Sequence, residues 1–357
     1  MGTCEHGNPH MHSRHLGFTS CSVSVRCMTS TRPQTQPSSN LPSPGPAWAG
    51  SLMGTSILAT LSNMHGVPIV SPLLLVLGVG ILCTLVAGWW HYREPGFSSQ
   101  SMPQWGMTSM GILALGSAAT GISGAVHWQL ASWWIGAPLS WVVCIKQLQK
   151  FSGAPTFQWG LALVSPMVAA TSAAQLASYV EAHSTFAAGL FHAAGTASFI
   201  LALVTALPIF ARCYVAAARR HLSIPPTMGG TAWIPLGIVG QSTAAAQLLF
   251  SEQVGAAYGA TMIILGIGPM MYAARHFSRT VSRWAAYTPG WWGSTFPVGT
   301  LSLGTHFMSQ TTGAVWLNGV SQMLLVVLAL HWMVCAVRFI VWLIHERSTQ
   351  QTPAPGH

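Results

Sequence analysis

Bond-making chemistry has few places to reside in this chain. Its acids number five, Glu5, Glu94, Glu181, Glu252 and Glu346, and Asp is absent. General acid–base work by paired carboxylates is therefore not supported by any cluster. His192, His306 and His331 fall in or near apolar segments. They could hold haem between them only as facing pairs at suitable depth, and no repeated pairing occurs. A buried His or carboxylate would also serve a proton-coupled carrier, for which His192 is the strongest candidate. The seven cysteines show no CxxC or zinc spacing, which argues against a disulfide framework or structural zinc. Cys4, His6, His10, His12 and His15 at the N-terminus leave two readings open, a labile metal site or a disordered tail.

A different chemistry, passage rather than reaction, is suggested by residues 289–307, PGWWGSTFPVGTLSLGTHF. Here Phe296 and Pro297 stand among Gly293, Gly299, Gly304, Thr300 and Ser302. The stretch reads as one membrane helix with a proline near its middle. A proline inside a helix unpairs the carbonyl four residues earlier, and hydrocarbon cannot satisfy it. Neighbouring helices or water must. On a helical wheel Gly293, Phe296, Thr300 and Leu303 share one face.

Elements able to position such residues must be membrane helices. Only 5% of the 357 residues are charged, against about 25% in an ordinary soluble domain. Apolar segments long enough to cross a bilayer are predicted at about 47–64, 69–90, 105–125, 127–146, 157–178, 186–210, 230–250, 255–274, 291–309 and 314–343. All fourteen Lys and Arg fall on one side, in the N-terminal tail, at alternate connections or at the end of the tenth segment. They are Arg14, Arg26, Arg32, Arg93, Lys146, Lys150, Arg212, Arg219, Arg220, Arg275, Arg279, Arg283, Arg338 and Arg347. The positive-inside rule then puts both termini in the cytoplasm. The formal net charge of +9 thus reflects topology, since the basic residues make no patch suited to nucleic acid. Residues 1–45 read as a disordered Ser/Pro/His-rich cytoplasmic tail without a secretory signal. The transmembrane domain is expected over 46–344, and a short polar tail over 345–357.

The odd-numbered segments share an entrance signature. PAWAGSLMG (Pro46, Trp48, Gly54) and PQWGMTSMG (Pro103, Trp105, Gly111) both read P-x-W-x5-G, with looser versions at Pro155, Pro289 and the seventh segment. Proline is preset for a first helical turn, and an aromatic suits headgroup depth. Five repeated hairpins are the expectation. Segments five, seven and nine carry prolines inside the apolar run (Pro166, Pro235, Pro297) followed by small or hydroxylated residues. Either these mark a water-lined path along the odd helices, or they mark dry, close helix packing. Polar candidates for the path are Thr55, Ser56, Ser117, Thr171, Gln241, Ser242 and Thr300. No acid sits mid-segment, which favours anions over cations. Arg212, Arg219, Arg220, Arg275, Arg279 and Arg283 would concentrate anions at the inner mouth, or would merely set topology.

The stretches PAWAGSLMGTSILATL, IPPTMGGTAWIPLGIVGQSTAAAQ and WWGSTFPVGTLSLGT make the chain resemble the tellurite-resistance/dicarboxylate transporter family over roughly residues 46–343. That superfamily includes plant slow anion channels and fungal malate and sulfite transporters. The resemblance implies an all-α integral membrane protein of ten helices, arranged as five quasi-symmetric hairpins with the odd helices around a central pore. It also implies a homotrimer, small anions as the transported species, no cofactor and no enzyme activity. A Phe in the ninth helix plugs the pore of known members, and Phe296 holds the matching position, with Pro297 bending the helix and Gly293 and Thr300 as small neighbours. A cell membrane, specifically a bacterial inner membrane, is the expected location.

Overall fold

A computed structural model describes residues 41–151 and 153–350. The expectations for residues 1–40 and 351–357 lie outside the described residues. Ten α-helices follow one another: α1 (Ala49–Met64), α2 (Val70–Tyr92), α3 (Met102–Ser123), α4 (His127–Gln149), α5 (Trp159–Val180), α6 (Thr185–Ala218), α7 (Ile234–Leu249), α8 (Glu252–Ser282), α9 (Thr295–Thr312) and α10 (Val315–Gln350). Three 3₁₀ segments, Pro46–Trp48, Pro226–Trp233 and Pro289–Ser294, lead into α1, α7 and α9. Each opens on a proline, whose missing N–H would have no intrahelical partner there. At their far ends α3 and α9 stop on left-handed glycines, Gly124 and Gly313, the C-terminal cap that only glycine adopts without strain.

The odd helices form a closed inner circle. α1 packs on α3, α3 on α5, α5 on α7, α7 on α9, and α9 returns to α1. Each even helix lies outside: α2 on α1 and α3, α4 on α3 and α5, α6 on α5 and α7, α8 on α7 and α9, α10 on α9 and α1. Burial follows this arrangement. Nearly all of α7 and most of α1, α5 and α9 are buried, whereas α2, α6, α8 and α10 expose large apolar side chains such as Leu73, Val204, Ile264 and Ile340. An apolar exterior on an apolar interior is a lipid-facing surface.

Five helices, α2, α5, α6, α8 and α10, are long and apolar enough to cross a membrane. α1 and α7, at 16 residues each, are too short by themselves, and their 3₁₀ leaders extend them. Helices enclosed by other helices also need less apolar surface than those meeting lipid. The ends of three outer helices differ from expectation. α6, α8 and α10 run to Ala218, Ser282 and Gln350, seven or more residues past their expected limits of 210, 274 and 343. At the other boundary, residues 41–45 pack against the body, through Ser43 Oγ to Glu94 Oε2 at 3.1 Å and Trp48 Nε1 to the Pro42 carbonyl at 2.9 Å.

The prolines also correct the sequence reading. Residues 289–307 are not one kinked helix, because α9 begins at Thr295 and Pro297 occupies its first turn. Pro235 likewise sits at the second position of α7. Only Pro166 is internal to an odd helix. The carbonyl it would leave bare, that of Ala162, accepts the Ser165 hydroxyl at 2.8 Å. Neither water nor another helix is required there.

Candidate functional site

Inside the circle lies a cavity of about 30 Å³, room for roughly one water. Its walls come from all five odd helices and from no even one. Its apolar lining residues are Ile57, Ala114, Val168, Phe296 and Leu303; its polar ones are Thr60, Ser117, Thr171, Ser172, Gln175 and Gln241. Phe296 is 3% exposed, so its ring is walled in on all sides by protein and this small space. No charged residue borders it among the described residues.

The polar wall is tied together by hydrogen bonds. Gln241 Nε2 on α7 donates to Thr171 Oγ1 on α5 at 2.8 Å, and that hydroxyl donates in turn to the Met167 carbonyl at 3.2 Å. Gln129, buried on α4, donates from Nε2 to the Ser172 carbonyl at 3.3 Å and to Gln175 Oε1 at 2.7 Å. Gln241 Oε1 is buried with no partner.

Of the residues singled out from sequence, Phe296, Ser117, Thr171 and Gln241 border the cavity, as does Leu303. The others point elsewhere. Thr55 accepts the Trp332 indole N–H of α10 at 3.0 Å. Ser56 sits beside Gly78 of α2. Ser242 and Thr300 return their hydroxyls to carbonyls three residues back, Val239 at 3.4 Å and Pro297 at 2.8 Å. Gly293 belongs to the 3₁₀ segment, where a Cβ would lie 3.1 Å from the Gly230 carbonyl. The expected shared face of Gly293, Phe296, Thr300 and Leu303 therefore reduces to Phe296 and Leu303. The neighbouring glycines serve packing: a Cβ on Gly304 would sit 2.6 Å from the Gly240 carbonyl, and one on Gly299 would sit 2.6 Å from Ile57. Helices α7 and α9 thus meet backbone to backbone.

Thr60, Ser172 and Gln175 were not anticipated. For Ser172 and Gln175 the signal was available, since Val168, Thr171, Ser172 and Gln175 recur at the spacing of one helical face. The six arginines are exposed and border no cavity: Arg212, Arg275 and Arg279 ride on α6 and α8, Arg219 caps α6, and Arg220 and Arg283 follow the helix ends. One basic residue, counted from sequence only as a marker of topology, is buried. Arg338 of α10 is 7% exposed, donates from its guanidinium to the Ala285 carbonyl at 2.6 Å and lies 4.5 Å from the Trp284 ring centroid. It anchors α10 to the segment leading into α9.

The histidines are dispersed. His192 bonds the Leu249 carbonyl at 2.9 Å, and His331 packs 4.5 Å from Phe277 between ring centroids. His306 lies 5.0 Å from His65, whose Nε2 is 2.9 Å from Ser321 Oγ. They form no facing pairs of the kind a haem between helices needs.

A circle of helices enclosing a small neutral cavity suits passage of a small solute. The profile of the voltage-dependent anion channel (SLAC1) family matches residues 44–340. The chain belongs to this family. As a voltage-dependent anion channel family member it is a membrane protein of an anion-transporting group, whose members are channels or transporters and not enzymes. The match spans all ten helices except the end of α10. None of the curated proteins searched matches the chain.

Proposed function

We propose that this chain conducts small anions across a cell membrane through the axis of its odd helices, with Phe296 as the gate. The observation that carries the reading is the cavity itself. Five helices border it, six of its lining residues are polar and uncharged, and Phe296 is its one aromatic ring. A hydrophobic constriction of this kind blocks flow by excluding water. Absence of a charged group at the narrow point also fits conduction, because an ion bound weakly leaves quickly.

Ten spanning helices act as five quasi-symmetric hairpins, with both termini cytoplasmic and the arginines at the inner mouth. Arg212, Arg219, Arg220, Arg275, Arg279 and Arg283 raise the local anion concentration there. The protein works as a homotrimer in a bacterial inner membrane, each protomer with its own pore, and carries C4-dicarboxylates such as malate or inorganic anions.

Reconstitution tests this. Phe296→Ala should raise anion conductance in liposomes by about tenfold or more, as expected when a dewetted constriction opens. A folded variant with conductance equal to the parent would end the gate assignment. Repeating the flux with and without a pH gradient separates a channel from a proton-coupled carrier, since only the carrier would follow the gradient.

A further inference from the structure

The hydrogen bonds around the cavity have a direction, and that direction says what a passing anion must offer. The Ser172 carbonyl can only accept, so Gln129 must present its nitrogen there. The same nitrogen faces Gln175, which fixes the Gln175 oxygen toward α4 and leaves its own Nε2, two N–H donors, without a protein acceptor beside the cavity. Gln241 is set the opposite way. The Thr171 hydroxyl gives its proton to the Met167 carbonyl, so it receives from Gln241 Nε2. The Gln241 oxygen is then left as a buried acceptor with no donor. Both side chains border the space that Phe296 closes. Among the residues bordering this space, Gln175 thus offers unpaired N–H donors and Gln241 an unpaired acceptor, beside the hydroxyls of Ser117 and Ser172.

We propose that Gln175 and Gln241 form a paired donor–acceptor subsite that favours oxyanions carrying an O–H group over anions that lack one. The charged oxygen of the anion takes the Gln175 N–H, and its hydroxyl donates to Gln241 Oε1. An anion without a proton to give leaves that buried oxygen unpaired, which the hydroxylated one avoids. This inference rests on the proposed anion path but concerns its selectivity rather than its gate.

Hydrogencarbonate and nitrate make the test pair, since both are small planar monoanions and only the first has an O–H. In planar bilayers under bi-ionic conditions, Phe296→Ala channels should favour hydrogencarbonate. Adding Gln241→Met should lower the hydrogencarbonate-to-nitrate permeability ratio about fivefold, the scale of one hydrogen bond. Gln175→Met should instead reduce both permeabilities together. A ratio that Gln241→Met leaves unchanged, or a parent that favours nitrate, overturns the subsite. Thermal stability of the purified protein supplies a readout independent of conduction. Hydrogencarbonate should raise the melting temperature more than nitrate does, and Gln241→Met should abolish the difference while keeping a cooperative transition. That result without any current would retain the subsite and reject the channel reading; equal shifts by both anions would reject the subsite whatever the currents show.

Discussion

Single side chains decide how this bundle tolerates its own prolines. Ser165 stands directly before Pro166 and gives its hydroxyl to the Ala162 carbonyl, the acceptor that the proline deprives. Ser165→Ala should destabilise the fold by about 1–3 kcal/mol, the cost of a buried polar group left unpaired. Pro166→Ala in the same background restores a backbone N–H for that carbonyl and should recover most of the loss. Thermal unfolding of the two variants checks the coupling, and purely additive losses would refute it. The same habit explains why facing was hard to read from sequence. Thr300 and Ser242 each satisfy their hydroxyls on their own helices, so a hydroxyl in an apolar run need not mark water. Gln241, too long and too polar to be satisfied that way, was the more reliable sign.

At the scale of elements, the C-terminal ends of α1 and α9 and the beginning of α10 meet around His65. Burial first, and then the nearby His306, hold the His65 imidazole below its ordinary range. No Asp, Glu, Lys or Arg occurs in α1 or α9, so no carboxylate offsets the effect from those helices. The neutral ring is therefore favoured in the folded state, while the unfolded chain takes up its proton near the ordinary imidazole value of about 6.5. The stabilisation is present above that pH and is lost as pH falls toward the folded pKa. The melting temperature should drop between pH 7.5 and 5, and His65→Gln should shallow that drop. An identical pH profile in the variant would show that His65 does not contribute. Helix number and order were legible because each apolar run is bounded by polar or basic residues. Two features were not. An apolar run with a proline reads alike whether the proline kinks a helix or starts one, which hid the 3₁₀ leaders of α7 and α9. The far ends of α6 and α8 were hidden because helical hydrogen bonding continues after hydropathy falls, carrying Arg212, Arg275 and Arg279 on helix rather than loop.

For the whole molecule, charge and shape divide the labour. The cavity is neutral, and Arg212, Arg219, Arg220, Arg275, Arg279 and Arg283 are exposed and do not border it. If they gather anions, their influence must be long-range and must fade with salt, because the screening length falls from about 10 Å at 0.1 M to about 3 Å at 1 M. Replacing Arg275, Arg279 and Arg283 together by Gln should lower conductance about threefold at low ionic strength, with the loss disappearing in molar salt. A loss that persists in molar salt would point to a structural role instead. The broad plan, a set of apolar helices suited to lipid, was legible from composition and charge spacing. What the sequence could not supply was which wall each polar residue joins, since that depends on how far one helix is rotated against the next.

Unequal helix length has a mechanical consequence. α2, at 23 residues, reaches about 35 Å, barely more than the hydrocarbon of an average bilayer. Its outer companions α6 and α10, at 34 and 36 residues, have turns to spare. In a thicker membrane the long rods can sink without tension while α2 and α4, at 23 residues each, run out of reach, so lipid must thin or tilt there. The protein would then sense bilayer thickness unevenly, along the flank where these two helices cover α1, α3 and α5.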